Sequence, residues 1–223
     1  MDSPIKKIAG DLVEQINKIR YIGMGSGRTM SDFVDALASF KLKNEQKFVP
    51  TSYQIALKLK EKNFEIEMFP RIKKIELYID GVDQIEEKSH FAIKGGGGAL
   101  QKEKILMNNS EKTVFILQEK KIAERLGTGC PVPVEVSPFA SYFVTNYMKE
   151  LGASSELRKD QRGFPMFTEG GNMIIDVSFN GISDVINLEH KIKDQPGVIE
   201  VGLFTKKPSY IYILKESSFE KRS

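Results

Sequence analysis

The stretch IELYIDGVDQIEEKSHFAIKGGGGALQKE, residues 75–103, decides how the rest of the chain is read. IELYID is a near-continuous apolar run of strand length, so its last residue, Asp80, is expected at the carboxyl edge of an open α/β sheet, where such folds bind ligands. Gly81, Val82 and Asp83 follow, and a short polar loop leads to Phe91-Ala92-Ile93-Lys94. Four consecutive glycines, Gly95–Gly98, come next. Glycine adopts positive φ without strain and lets successive N–H groups face one anion or oxyanion. From Ala99 the pattern predicts a helix, with Leu100, Ile105 and Leu106 apolar among Lys and Glu, which puts Glu103 in its early turns near the glycines and Lys94. A carboxylate after a strand is usually a turn former, and a glycine run is usually a flexible loop. Flexibility alone would not call for Lys94 on one flank and a helix carrying Glu103 on the other.

Working outward, Ser3 fits an N-cap and Pro4 the first position of a helix whose Ile5, Ile8, Leu12 and Ile16 form one apolar stripe. Tyr21–Thr29 reads as a strand followed by a glycine-bearing turn, after which Thr29–Val34 starts a helix. Free N–H groups at such a helix start, beside the hydroxyls of Ser26 and Thr29, suit a phosphate. The spacing is not G-x-G-x-x-G, and no acidic residue follows in the pattern of a dinucleotide ribose, so a nicotinamide cofactor is set aside. Strands at 47–52, 64–69, 75–80 and 113–117, alternating with helical patterns at 53–62 and 99–107, imply βαβ units and a mostly parallel sheet.

The turn-rich run Gly127–Pro133 marks a composition break. Beyond it a strand at 134–136, a helix at 139–151, strands near 156–158 and 173–179 and a helix at 183–194 suggest a small α+β lid of two strand-helix-strand halves. Gly202–Phe204 and Tyr210–Leu214 are expected to return to the main sheet. The predicted fold class is therefore α/β, a Rossmann-like, mostly parallel sheet flanked by helices. Residues 1–126 and 203–223 would form the catalytic domain and 127–202 the lid.

Composition narrows the function. The chain has 223 residues, 40% hydrophobic and 28% charged, an ordinary globular balance. A net charge of +3 is too small to argue for nucleic acid and does not oppose an anionic small substrate. The single cysteine, Cys130, excludes an intramolecular disulfide and sits in Gly129-Cys130-Pro131, away from both histidines in sequence, as a packed or turn thiol rather than a nucleophile. His90 and His190 lie among polar residues, and no Cys/His cluster has zinc-ligand spacing. No metal or organic cofactor is expected, and the chemistry falls to carboxylates, lysines and backbone. No segment approaches the roughly 18 to 20 apolar residues of a membrane span, and the first residues lack a signal-peptide core, so no membrane association and a cytoplasmic location are expected.

The segments Asp80-Gly81-Val82-Asp83, Lys94–Leu100 and Glu103-Lys104-Ile105 resemble the ribose-5-phosphate isomerase family, type A. Pro133–Val136, Thr168–Asn172 and Pro196–Val198 are similar to other segments of that family, so the resemblance covers nearly the whole chain. It implies an aldose–ketose isomerase acting on a five-carbon sugar phosphate, with Glu103 as the base that takes and returns a proton through an enediolate. Lys94 and the N–H groups of Gly95, Gly96 and Gly97 would stabilise the developing oxyanion. Asp80 and Asp83, with Gly81 and Val82 between them, would hold sugar hydroxyls, and one aspartate would assist ring opening. Ser26, Gly27 and Thr29 match the family's phosphate loop, where Arg28 replaces the small hydroxyl residue more usual there. Lys121 aligns with a ligand-contacting lysine, and Gln84 stands where an acidic residue is usual. The resemblance also implies a homodimer or homotetramer. Two rival readings are a non-catalytic sugar-phosphate sensor, which would have no need of Glu103, and a CoA transferase using a glutamate as nucleophile, for which no CoA-sized element is evident.

Overall fold

The computed structural model describes residues 3–43, 45–68 and 74–223. The chain begins with α1 (Pro4–Ile16), β1 (Tyr21–Met24), α2 (Arg28–Leu37), β2 (Lys47–Pro50), α3 (Tyr53–Glu61) and β3 (Ile75–Gly81). Next come β4 (Gln84–Glu86), β5 (Ala92–Ile93), α4 (Leu100–Asn108), β6 (Ser110–Gln118), β7 (Ile122–Ala123), β8 (Val132–Val136) and α5 (Ser141–Glu150). Last are β9 (Ser154–Leu157), β10 (Met173–Ser178), α6 (Val185–Lys193), β11 (Val198–Val201), β12 (Leu203–Phe204), β13 (Tyr210–Leu214) and β14 (Phe219–Arg222). The chain forms two compact units, one of residues 1–81, 102–120 and 208–223 and one of 82–101 and 121–207.

The first unit is built on a six-stranded sheet ordered β14-β13-β6-β3-β1-β2. Every pairing in it is parallel except β13 with β14. Parallel strands are covered on both faces and so read as unbroken apolar runs, as VFIL in β6 and IYI in β13 do. Ile8, Leu12 and Ile16 of α1 and Met30, Phe33 and Leu37 of α2 enter one core with Ile22, Leu77, Ile79, Val114 and Ile116. Ser52 caps α3 by accepting from the Ile55 N–H at 3.2 Å. The strand expected at 64–69 is reduced to one parallel bridge, Phe48 with Ile66, and Phe69 lies outside the described residues.

This sheet has a topological switch point. The chain moves from β1 to β2 on one side and from β3 to β6 on the other, so the loops leaving the carboxyl ends of β1 and β3 are not covered by a crossover between those two strands. Open α/β sheets bind ligands at such a crevice. The segments leaving β1 and β3 are Gly25–Gly27 and Gly81 with its successors.

The second unit holds two four-stranded sheets, ordered β11-β8-β10-β9 and β12-β5-β4-β7. The first is antiparallel throughout. Val134, Val136, Ile175 and Val177 pack there with Val144 and Met148 of α5 and Ile192 of α6. Strands and helices of this region combine as α+β, although β8 and β10 pair directly rather than through parallel strand-helix-strand halves. Residues 203–204 were expected in the main sheet and are instead in the second sheet of this unit, because Leu203 pairs with Ile93 and Phe204 with Ala92. The polar loop expected after Asp83 contains β4, which pairs antiparallel with β5. Residues 82–101 and 121–126, placed with the catalytic domain in the sequence reading, cluster with the second unit because β4, β5 and β7 belong to this sheet.

Candidate active site

In the first unit, β3 delivers Asp80 with no exposed surface. The carboxylate accepts from the Gly81 N–H at 2.7 Å through Oδ1 and from the Tyr78 hydroxyl through Oδ2. Residues two apart on a strand share a face, which is why Tyr78 meets Asp80. Burial, then the negative charges of Asp80 and Glu103, push the Tyr78 hydroxyl well above its ordinary value, so it stays protonated and donates. Gly25 makes room for this arrangement. Its N–H donates to the Ile79 carbonyl at 2.8 Å, and a Cβ at position 25 would lie 1.9 Å from Cγ of Asp80.

Glu103 is 3% exposed, although it sits one turn into a helix rich in Lys and Glu. The apolar positions of α4 do not all face inward, since Ile105 is 42% exposed while Glu103 and Lys104 are buried. A carboxylate is almost never buried without partners. Here Oε1 accepts from the Ser26 hydroxyl at 2.8 Å, tying α4 to the loop after β1. That hydroxyl proton is committed to Glu103, so the contribution of Ser26 to an anion rests on its N–H. α2 starts at Arg28 with Gly27 as its N-cap at φ 90°, and no side chain caps it. The first intrahelical acceptor is the Gly27 carbonyl, reached by the Ser31 N–H, which leaves the preceding N–H groups for an anion. Arg28 is exposed and Thr29 half-buried at this end.

In the second unit, Gly95–Gly98 form a turn closed by the Gly98 N–H on the Gly95 carbonyl at 3.0 Å, with positive φ at Gly95 (104°) and Gly98 (78°). Gly96 and Gly97 are its exposed tip. The Gly96 N–H donates to Oδ2 of Asp83 at 2.7 Å, so this donor, read from sequence as facing an oxyanion, serves a carboxylate. The N–H groups of Gly95 and Gly97 have no hydrogen-bond partner among the described residues. Lys94 is 3% exposed, its ammonium 5.5 Å from the centre of the Phe204 ring. Lys121 donates to the Val82 carbonyl at 2.5 Å.

One departure from the expected pattern gains a physical reason. The Gln84 side chain donates from Nε2 to the Thr128 carbonyl at 2.9 Å and accepts the Gly127 N–H at Oε1 at 2.8 Å. A carboxylate can only accept, so an acidic residue could not make both bonds. Cys130 is half-buried, and burial, with a smaller push from the Asp83 charge, raises its thiol to about 11, which favours the inert thiol form. Among the described residues no group of three or more His, Cys, Asp and Glu side chains is placed to hold a metal ion. No helix among them is long and apolar enough to cross a membrane.

Sequence reasoning missed Tyr78, whose signal was its i, i+2 relation to Asp80. It also missed Arg158, which reaches the glycine turn from 62 and 63 residues away.

Comparison with solved structures places the fold. Ribose 5 phosphate isomerase A from Neisseria gonorrhoeae matches with a TM-score of 0.88 at 31% identity, over 97% of this chain and 95% of that one. A D-ribose-5-phosphate isomerase in complex with phospho-erythronic acid matches with a TM-score of 0.90 at 30% identity over 100% of both chains. In sequence, ribose-5-phosphate isomerase A of Methanocaldococcus jannaschii is 37% identical over 205 residues, 90% of this chain and 89% of the relative. The family model described as ribose 5-phosphate isomerase A (phosphoriboisomerase A) matches residues 47–218. The chain belongs to the ribose 5-phosphate isomerase A family.

Proposed function

We propose that this protein interconverts D-ribose 5-phosphate and D-ribulose 5-phosphate in the cytoplasm, with Glu103 as the proton-transfer base. The observation that carries this reading is the buried Glu103 carboxylate, held by Ser26 beside the loop at the sheet's switch point. In the open-chain aldose, the carboxylate removes the C2 proton, and the electron pair moves toward the carbonyl to form a cis-enediolate. C1 and C2 then present one face, so the same group returns the proton to C1 while the C2 hydroxyl proton passes to the C1 oxygen, leaving the ketone at C2 and a hydroxyl at C1. Lys94 and the N–H groups of Gly95 and Gly97 stabilise the enediolate oxygen as its charge develops. Asp80 and Asp83, with the intervening Gly81 and Val82, hold the sugar hydroxyls, and one of the aspartates assists ring opening. Lys121 contributes positive charge to substrate binding. Purified protein should convert the aldose phosphate to the ketose and exchange the C2 proton with deuterated solvent. Neither turnover nor exchange would remove the isomerase reading in favour of a sensor.

The phosphate falls to the N–H groups of Ser26, Gly27, Arg28 and Thr29 at the start of α2, helped by the Thr29 hydroxyl and the Arg28 charge. Binding energy from this remote group positions the reacting carbons. Unphosphorylated ribose should therefore show a kcat/KM lower by a factor on the order of 10² or more. Comparable values for the two sugars would disprove the assignment.

The protein is further proposed to assemble as a homodimer or homotetramer through the segment around α5. Phe139 is 100%, Tyr142 79% and Phe143 50% exposed within five residues of chain. Large aromatic side chains clustered at the surface mark an interaction face. Sedimentation should give an oligomer, and Phe139→Ser with Phe143→Ser should shift it to the monomer. A wild-type monomer at micromolar concentration would dispose of this assembly.

A further inference from the structure

We infer that Arg158 is a positioning residue for the glycine turn, a guanidinium clamp that fixes the carbonyls of Gly95 and Gly96 and thereby aims the N–H groups of the same peptides. This rests on the reading that the turn's N–H groups serve the enediolate. Arg158 follows β9 and meets Asp176 of β10 in a fork, with Nε on Oδ2 at 2.7 Å and Nη2 on Oδ1. The fork leaves Nη1 pointing at the turn, where it donates to the Gly95 carbonyl at 2.8 Å and the Gly96 carbonyl at 3.1 Å. The side chain is 14% exposed and that of Asp176 24%.

The effect follows from peptide planarity. The Gly95 carbonyl and the Gly96 N–H are opposite ends of one rigid unit, as are the Gly96 carbonyl and the Gly97 N–H. Fixing the two oxygens fixes the two donors. One is the Gly96 N–H, which holds Asp83 at 2.7 Å, and the other is the Gly97 N–H, which has no partner among the described residues. A charge on the carbonyl oxygen also polarises the peptide and strengthens its N–H as a donor. Asp176, Arg158, the Gly95–Gly96 peptide and Asp83 thus form one hydrogen-bonded line.

The turn needs such a clamp because glycines give it no side chains to pack. Its own closure is the single Gly98 to Gly95 bond, and its tip is exposed. Lysine cannot substitute, since one ammonium cannot span a carboxylate and two carbonyls in the fixed geometry of a guanidinium.

The test joins kinetics with a spectrum that does not depend on activity. Arg158→Met should lower kcat for ribose 5-phosphate by about 10- to 100-fold, below the roughly 10²- to 10³-fold cost of deleting an oxyanion donor outright. KM should stay within about threefold, because the ground-state sugar makes less use of these donors than the enediolate does. Arg158→Lys should restore charge but not kcat. In the wild-type protein, nitrogen-resolved NMR of Arg158 should show separate Nη1 and Nη2 signals from a guanidinium that does not rotate, and Asp176→Asn should merge them. Merged signals in wild type would overturn the clamp whatever the variants do. So would a folded Arg158→Met enzyme with kcat within about twofold of an active wild type, or one in which only KM rises. A wild type inactive on ribose 5-phosphate would instead overturn the isomerase reading, with the wild-type spectrum still deciding whether the clamp exists.

Discussion

Glu103→Gln should give a folded protein that still binds a substrate analogue but turns over ribose 5-phosphate more slowly by a factor on the order of 10² to 10⁴. The amide keeps the size of the carboxylate, and its oxygen can still accept from the Ser26 hydroxyl that now meets Oε1 at 2.8 Å. A neutral amide is less costly to bury than a carboxylate at a position that is 3% exposed, so thermal stability should hold or rise. What disappears is the capacity to accept a proton, and with it exchange of the C2 proton with deuterated solvent. Because one group both takes and returns the proton in this mechanism, no second base softens the loss. A variant with near-normal turnover would make Glu103 a structural carboxylate and move the search for the base to Asp80 or Asp83.

The second large effect is expected at Gly25→Ala. A Cβ there would lie 1.9 Å from both Cγ and Oδ1 of Asp80, so the carboxylate or the loop must move. Neither moves cheaply. Asp80 is fully buried and held by Tyr78 and the Gly81 N–H, and the position-25 backbone is bonded to Ile79. Overpacking of this kind costs about 1–3 kcal/mol. Under the proposed role of Asp80 in holding the sugar, displacing its carboxylate by about 1 Å adds a loss of roughly 10² in rate. Gly81→Ala is the control for stability, because the nearest atoms to its added Cβ are 3.7 Å away. Thermal melts should show Gly25→Ala well below wild type and Gly81→Ala close to it. Equal melting temperatures and equal activity for Gly25→Ala would show that Asp80 is not confined as described.

How far the sequence announced this structure depends on the range of the interactions involved. α1 was legible because Ser3, Pro4 and a stripe at helical spacing act locally, and β3 because a long apolar run in a parallel sheet needs no partner to be recognised. β4, β5, β7 and β12 were not legible. Each is two or three residues long, and its existence depends on pairings such as Leu203 with Ile93, which local propensity does not encode. The same division holds in the candidate site. The residue types at 80, 83, 94–97 and 103 were readable as a constellation suited to proton transfer. That the Ser26 hydroxyl faces Glu103 and not an anion, and that the Gly96 N–H is taken by Asp83, are consequences of tertiary packing. Gln84 looked like a weakened acidic site until its two backbone partners showed that an amide is the group the position requires.

β14 carries a consequence for solubility. Among the described strands of the sheet it alone pairs antiparallel, and it covers Tyr210–Leu214, the run YIYIL, with Phe219–Arg222, the run FEKR, in the register Ile211 to Arg222 and Leu214 to Phe219. An uncovered YIYIL edge would offer unpaired backbone groups on a β-prone, uncharged segment, the pattern that recruits further strands into aggregates. The outer edge presented instead bears Glu220, Lys221 and Arg222. Lys221 is anchored to Asp11 of α1 at 2.8 Å, and Glu220 is paired with both Lys215 and Arg222. The last short strand therefore acts as a gatekeeper, exchanging a sticky border for a charged one.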